Sequence, residues 1–132
     1  MPIIFTFFVS GKEISLNMNT VFYNSDFEEL GTNKSEVINA LELDGNFKYI
    51  KHLSKGIVIF PPSFMKHKSK RPMKLFAEKT KIGKVIGFGG FNLSRFKEDI
   101  SDNFQIQITT IKVLPLSKRK IKVISWFFLF LH

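Results

Sequence analysis

The sequence contains no cysteine, and this absence excludes a disulfide scaffold, thiol catalysis and any metal site built on cysteine. Long apolar runs are also absent, because the runs near the two termini are only about eight residues long and a bilayer-spanning helix needs about 20. The opening MPIIFTFFVSG has neither a basic leading segment nor a small-residue cleavage site. We therefore expect neither a signal peptide nor a transmembrane helix.

The residue patterns of common enzymes and metal sites are missing as well. The histidines His52, His67 and His132 are far apart, and neither H-E-x-x-H nor G-x-S-x-G occurs. The glycines of residues 83–90 are not accompanied by the G-K-[ST] motif of a phosphate-binding loop. The acidic loop that we expect at residues 96–103 has too few carboxylates for Ca²⁺, which takes six to eight oxygen ligands. We expect a non-enzymatic, calcium-independent chain with no metal and no cofactor.

The composition is that of a folded domain. The chain has 132 residues, 44% of them hydrophobic, and it includes 16 phenylalanines. This length and apolar content are sufficient for one core without covalent cross-links. We predict a single domain over residues 1–132, with an irregular tail over residues 117–132.

Charge is distributed unevenly along the chain. Residues 1–45 carry two basic and seven acidic side chains, a net charge of −5. Residues 46–132 carry eighteen basic and four acidic side chains, a net charge of +14. Such a basic segment is typical of a surface that binds phosphate groups, either on lipids or on nucleic acid.

Two segments in the middle of the chain alternate as strands do. In residues 73–77 the apolar side chains fall on one parity, and residues 85–93 place valine, two glycines, phenylalanine and leucine on one parity. A period of two indicates a pleated strand with one buried face. Residues 78–84 between them, with three lysines and a glycine, suit a solvated turn. We predict an antiparallel hairpin.

The run IGFGGFNLSRF at residues 86–96 resembles a strand motif of C2 domains, in particular the N-terminal-type subfamily. With residues 72–85, it covers about a fifth of the chain. Gly87 stands at the motif glycine, Phe91 and Leu93 at buried positions, Asn92 between them, and Phe96 at the closing aromatic. The resemblance implies an all-β, antiparallel β-sandwich with at most one short helix, acting as a membrane or adaptor module.

Local patterns indicate the structure of the remaining segments. We expect strands near residues 1–10, 13–16, 20–23, 46–53, 56–60 and 104–113, and a loop over residues 61–71. Residues 33–45 fit a capped helix, and residues 37–43 within them fit a strand equally well. The apolar end near residue 126 fits a closing strand, an interfacial tip or an irregular tail.

The candidate site is a basic cluster around the predicted hairpin, which would form one surface for anionic phospholipid or polyanion. Its eight members are Lys66, Lys68, Lys70, Arg71, Lys74, Lys79, Lys81 and Lys84. The expected partner is an anionic membrane surface or a cytoskeletal or trafficking protein. The expected location of the chain is the cytoplasm, peripheral to membranes or cytoskeleton. The alternative is RNA binding with Phe76 or Phe88 as stacking groups, and a third possibility is a scaffold that binds only proteins.

Overall fold

The computed structural model describes residues 4–60, 70–116 and 121–126. Within these ranges the chain forms seven strands and four α-helices. In chain order they are β1 (Ile4–Val9), β2 (Lys12–Asn17), α1 (Asn24–Glu28), α2 (Lys34–Asp44), β3 (Lys48–Leu53), β4 (Gly56–Phe60), β5 (Arg71–Ala77), α3 (Ile82–Ile86), α4 (Phe91–Phe104), β6 (Ile108–Pro115) and β7 (Ile121–Trp126). Two 3-10 turns, Lys79–Lys81 and Phe88–Gly90, lie before and after α3.

The strands pair in three groups. Strands β1, β2 and β7 form an antiparallel sheet in that order, β3 and β4 form an antiparallel hairpin, and β5 pairs in parallel with β6. A short extended segment, residues 20–22, bridges the last two groups. The Val21 amide donates to the Phe76 carbonyl at 2.9 Å, and Phe22 and Ile57 exchange backbone bonds of 2.9 and 2.8 Å. The segment therefore lies between β4 and β5 in one mixed sheet.

Strand β4 is buried on both faces, which explains its uninterrupted apolar sequence. Its alternate residues Ile57 and Ile59 belong to a core cluster that also contains the buried side chains of α1 and α2. Val58 and Phe60 belong to a second cluster with the buried side chains of α4. Helices therefore cover both faces of β4, in a three-layer α/β arrangement around this strand, whereas the outer face of β5 and β6 is exposed at Lys74 and Lys112.

Helix α2 begins and ends where its local chemistry predicts. The Asn33 side chain accepts a hydrogen bond from the Glu36 amide at 2.9 Å, and Gly45 ends the helix with a φ of 76°. Val37 and Leu41 share its buried face. Of the two interpretations of residues 33–45, the helix is confirmed.

The Glu36 carboxylate joins the start of α2 to the turn between β1 and β2. It accepts hydrogen bonds from the Ser10 hydroxyl, from Thr32 Oγ1 at 2.9 Å and from Asn33 Nδ2 at 3.2 Å. The bond from Ser10, followed by that from Thr32, holds the pKa of Glu36 below its usual value. The stabilisation that the ionised Glu36 carboxylate gives to the folded state is therefore complete above the pKa of this carboxyl group in the unfolded chain, about 4.3. It is lost as the pH falls through the pKa of the same group in the folded state.

We expect Glu36→Gln to lower the midpoint of thermal unfolding at neutral pH and to matter progressively less as the medium is acidified below about pH 4. Thermal unfolding of both proteins across this pH range measures the difference. Glu28→Gln, which removes an exposed carboxylate of α1, is the matched control and should show little change. A Glu36→Gln effect that persists at low pH would contradict this assignment.

The all-β sandwich with at most one short helix is wrong, because the described residues form four α-helices and these cover both faces of β4. The predicted hairpin is also wrong, since β5 pairs in parallel with β6 and residues 85–93 lie in α3, a 3-10 turn and α4. Glycines supplied much of the apparent alternation, and Gly87 and Gly89 adopt positive φ values of 80° and 61° instead. The loop predicted at residues 96–103 lies within α4, whose buried Phe96, Ile100 and Phe104 recur every four residues.

Several strand predictions are confirmed in whole or in part. Segments 13–16 and 56–60 are strands, residues 48–53 form β3, and the expected first strand is present from Ile4 to Val9. The strand expected at residues 104–113 begins only at Ile108, and that expected at residues 20–23 is reduced to isolated bridges. Residues 121–126 of the expected tail form β7, while residues 61–69 of the predicted loop lie outside the described residues.

Candidate anionic-surface site

The predicted basic residues lie in three places along β5. Exposed Lys70 and the half-buried Arg71 lie where the strand begins, exposed Lys74 lies in its middle, and Lys79, Lys81 and Lys84 follow its end. Seven residues of strand span about 23 Å, so the first and last groups lie at opposite ends. Lys66 and Lys68 lie outside the described residues. The last group is close to the most exposed aromatic side chains.

The glycine corner, as residues 84–95 are named here, contains the end of α3, the connecting residues 87–90 and the start of α4. The Gly87 amide donates to the Gly83 carbonyl at 2.9 Å, and the Gly90 amide donates to the Gly87 carbonyl at 3.1 Å. Asn92 Nδ2 donates to the Lys84 carbonyl at 2.8 Å, which connects the start of α4 to α3. These hydrogen bonds connect the end of α3, the 3-10 turn and the start of α4.

Glycine is required at position 87. Its φ is 80°, and a Cβ atom there would lie 2.8 Å from Cγ of Asn92 and 2.9 Å from its amide nitrogen. Any other residue would disturb the side chain that connects the two helices.

Two phenylalanines project from this corner into solvent. Phe88 is 100% exposed and Phe91 is 59% exposed, and the 3-10 turn Phe88–Gly90 begins with one and leads directly into the other. The resemblance to C2 domains placed Phe91 at a buried position, and its exposure is the opposite of that expectation. Single exposed apolar side chains are ordinary, but two aromatic rings on one short turn form a small apolar tip.

Basic side chains flank the two rings in sequence, and one of them lies beside Phe91. The Lys84 and Arg95 side chains are exposed, and the guanidinium carbon of Arg95 lies 5.9 Å from the centre of the Phe91 ring. Lys79 is also exposed, before α3, a helix only about 8 Å long. The glycine corner thus combines an apolar tip with a basic border.

Lys81 contributes to the fold more than to this border. Its Nζ lies 3.9 Å from Oε2 of Glu78 and 3.9 Å from the centre of the Tyr23 ring. Burial raises the pKa of the Tyr23 phenol, so the ring stays neutral beneath the ammonium group.

A second basic pair lies on the outer face of the parallel strands. Lys74 of β5 is directly opposite Lys112 of β6, and both side chains are exposed. Neither ammonium group lies within 4.0 Å of a carboxylate of the described residues. Sequence analysis did not identify Lys112, because the predicted hairpin gave β5 a different neighbour.

Two other kinds of functional feature are absent from the described ranges. No group of three or more metal-ligating side chains is clustered there. None of the helices described is both long enough and apolar enough to cross a membrane.

Comparison with known proteins found no matching family model, no similar curated protein and no similar solved structure. The resemblance of residues 72–96 to C2 domains therefore stays a prediction from the sequence.

Proposed function

We propose that this chain is a non-enzymatic module that binds anionic phospholipid surfaces through the glycine corner. The observation that carries the proposal is the exposure of Phe88 and Phe91 on a turn that exposed Lys84 and Arg95 flank in sequence. Aromatic rings favour the boundary between headgroups and acyl chains, and cations favour the anionic leaflet. Both kinds of contact come from one hydrogen-bonded corner of the chain, and we expect its four side chains to reach the same surface together.

The magnitudes explain why two kinds of contact are needed. Burial of a phenylalanine side chain is worth about 1.5–3 kcal/mol, and a basic residue beside an anionic leaflet about 1 kcal/mol. Two half-inserted rings and two cations then contribute roughly 4–5 kcal/mol, which corresponds to a Kd on the order of 0.5 mM. Binding is reversible, and stable attachment requires several copies or a neighbouring membrane-binding unit.

The proposal also assigns a place of action. Anionic lipids are enriched in the cytoplasmic leaflet, so we expect a protein peripheral to membranes on the cytoplasmic side. The exposed rings would also stack on RNA bases, which makes single-stranded RNA the competing ligand to test.

Cosedimentation with phosphatidylserine-containing vesicles tests the proposal. We expect the wild type to bind these vesicles, to bind pure phosphatidylcholine weakly, and to dissociate as salt is raised. Phe88→Ser/Phe91→Ser should weaken the partition more than about tenfold by removing the apolar contact. Lys84→Glu/Arg95→Glu should weaken it by a similar factor by reversing the charge.

Matched controls use side chains away from the corner. Leu43→Ser removes an 89% exposed apolar side chain of α2, and Lys48→Glu/Lys55→Glu makes the same change of net charge on exposed positions of the β3–β4 hairpin. Both should bind vesicles nearly as the wild type does. Equal losses in the control and corner variants would contradict the assignment, and binding to labelled single-stranded RNA without binding to vesicles would favour RNA as the ligand.

A further inference from the structure

Among the described strands, β6 has a neighbour on one edge only. It pairs with β5 on one side, and β7, which follows it in sequence, pairs with β2 instead. Among the described residues, β6 also accepts one side-chain hydrogen bond in addition to its pairing with β5: Lys97 Nζ donates to the Thr109 carbonyl at 3.2 Å. Apart from the Thr109 carbonyl, the backbone groups on the outer side of β6 have no strand neighbour within residues 4–60, 70–116 and 121–126, and we expect them to accept another strand.

The edge is long and well suited to strand pairing. Strand β6 has eight residues, against a usual five or six, and five of these are β-branched. Its charged side chain is Lys112, and Pro115 ends it. A lysine on an edge strand discourages pairing with a second copy, because like charges across two strands repel each other.

The charges around this edge select a different occupant. Lys112 and the adjacent Lys74 are exposed on the open sheet face. At the start of the strand, Lys70 and Lys97 line a shallow groove with Thr109, and Glu98 is the acidic side chain in its lining. Cations thus predominate along the edge, and they complement a partner that carries carboxylates.

We infer that the free edge of β6 takes up an extended acidic segment of a partner protein as an added strand. Main-chain hydrogen bonds would supply the affinity, and glutamate or aspartate on the open face of the added strand would lie beside Lys112, with Lys74 one strand further away. The surface is separate from the glycine corner, so the inference does not depend on phospholipid binding.

A synthetic peptide of alternating valine and glutamate, labelled for fluorescence anisotropy, is the probe. We expect the wild-type chain to bind it, and Lys74→Glu/Lys112→Glu to weaken binding about tenfold or more. Methylation of alternate peptide nitrogens should abolish binding, because it removes main-chain donors without changing charge. The same peptide with lysine in place of glutamate should bind much more weakly.

Two variants test whether the peptide binds at this edge and not elsewhere on the chain. Lys48→Glu/Lys55→Glu, with the same charge change on the β3–β4 hairpin, should bind the peptide almost as the wild type does. Phe88→Ser/Phe91→Ser should lose vesicles but keep the peptide. No binding of the acidic peptide, equal binding of its N-methylated form, or equal weakening by the two lysine pairs would overturn the inference.

Discussion

Replacing Phe60 with alanine is expected to lower the free energy of unfolding by about 3–5 kcal/mol. The side chain is fully buried, and its ring centre lies 6.3 Å from that of Phe96 and 5.2 Å from that of Phe104. The change removes a large apolar group and leaves a cavity between β4 and α4. Urea unfolding followed by circular dichroism measures the loss.

Phe88→Ala makes the same chemical change at a fully exposed position. It should alter the free energy of unfolding by no more than about 0.5 kcal/mol. If the two variants lost stability equally, β4 would not be covered by α4 and the three-layer arrangement would be wrong.

Gly56→Ala is expected to cost about 1–3 kcal/mol or more, because the added methyl group has no space. A Cβ atom there would lie 2.6 Å from Cγ1 of Val21, 3.0 Å from the Phe22 carbonyl oxygen and 3.1 Å from that of Leu53. Two of these neighbours are backbone atoms, which a side-chain rotation cannot move. The close approach marks where β4 meets the extended segment that connects it to β5. Chemical denaturation of the variant measures the cost.

Gly83→Ala provides the comparison, since it lies in α3 with nothing within 4 Å of the added atom. Alanine is favoured over glycine in a helix, so this variant should gain about 0.5–1 kcal/mol. A neutral Gly56→Ala would show that β4 and the connecting segment are not in contact.

Local chemistry was sufficient to predict some elements and not others. Asn33 and Gly45 mark the two ends of α2, and the apolar run of β4 has the length and turn residues of a buried strand. These signals lie within the elements themselves, so they can be recognised from the sequence.

The parallel pairing of β5 with β6 was not predictable in the same way. Thirty residues separate Ala77 from Ile108, and neither strand has a sequence pattern that identifies the other as its pairing partner. A turn that appeared to reverse the chain after β5 instead leads into α3 and α4. Lys112 was missed for this reason, since only the pairing brings it beside Lys74.

The candidate site was only partly visible in the sequence. The basic segment was evident from charge, and Phe88 was identified as a stacking group for RNA. The signal that was misinterpreted is the sequence GFGGF, in which glycines with positive φ turn the chain and leave both rings outside. Apolar residues between such glycines more often indicate an exposed turn than a buried strand.

The most direct test of the central claim is paramagnetic broadening of amide signals by a spin-labelled lipid in nanodiscs that contain phosphatidylserine. The strongest broadening is expected at residues 87–91, with weaker effects at Lys84 and Arg95. Strongest broadening at Leu43 or along β3, or uniform signals with and without the label, would contradict membrane contact through the glycine corner.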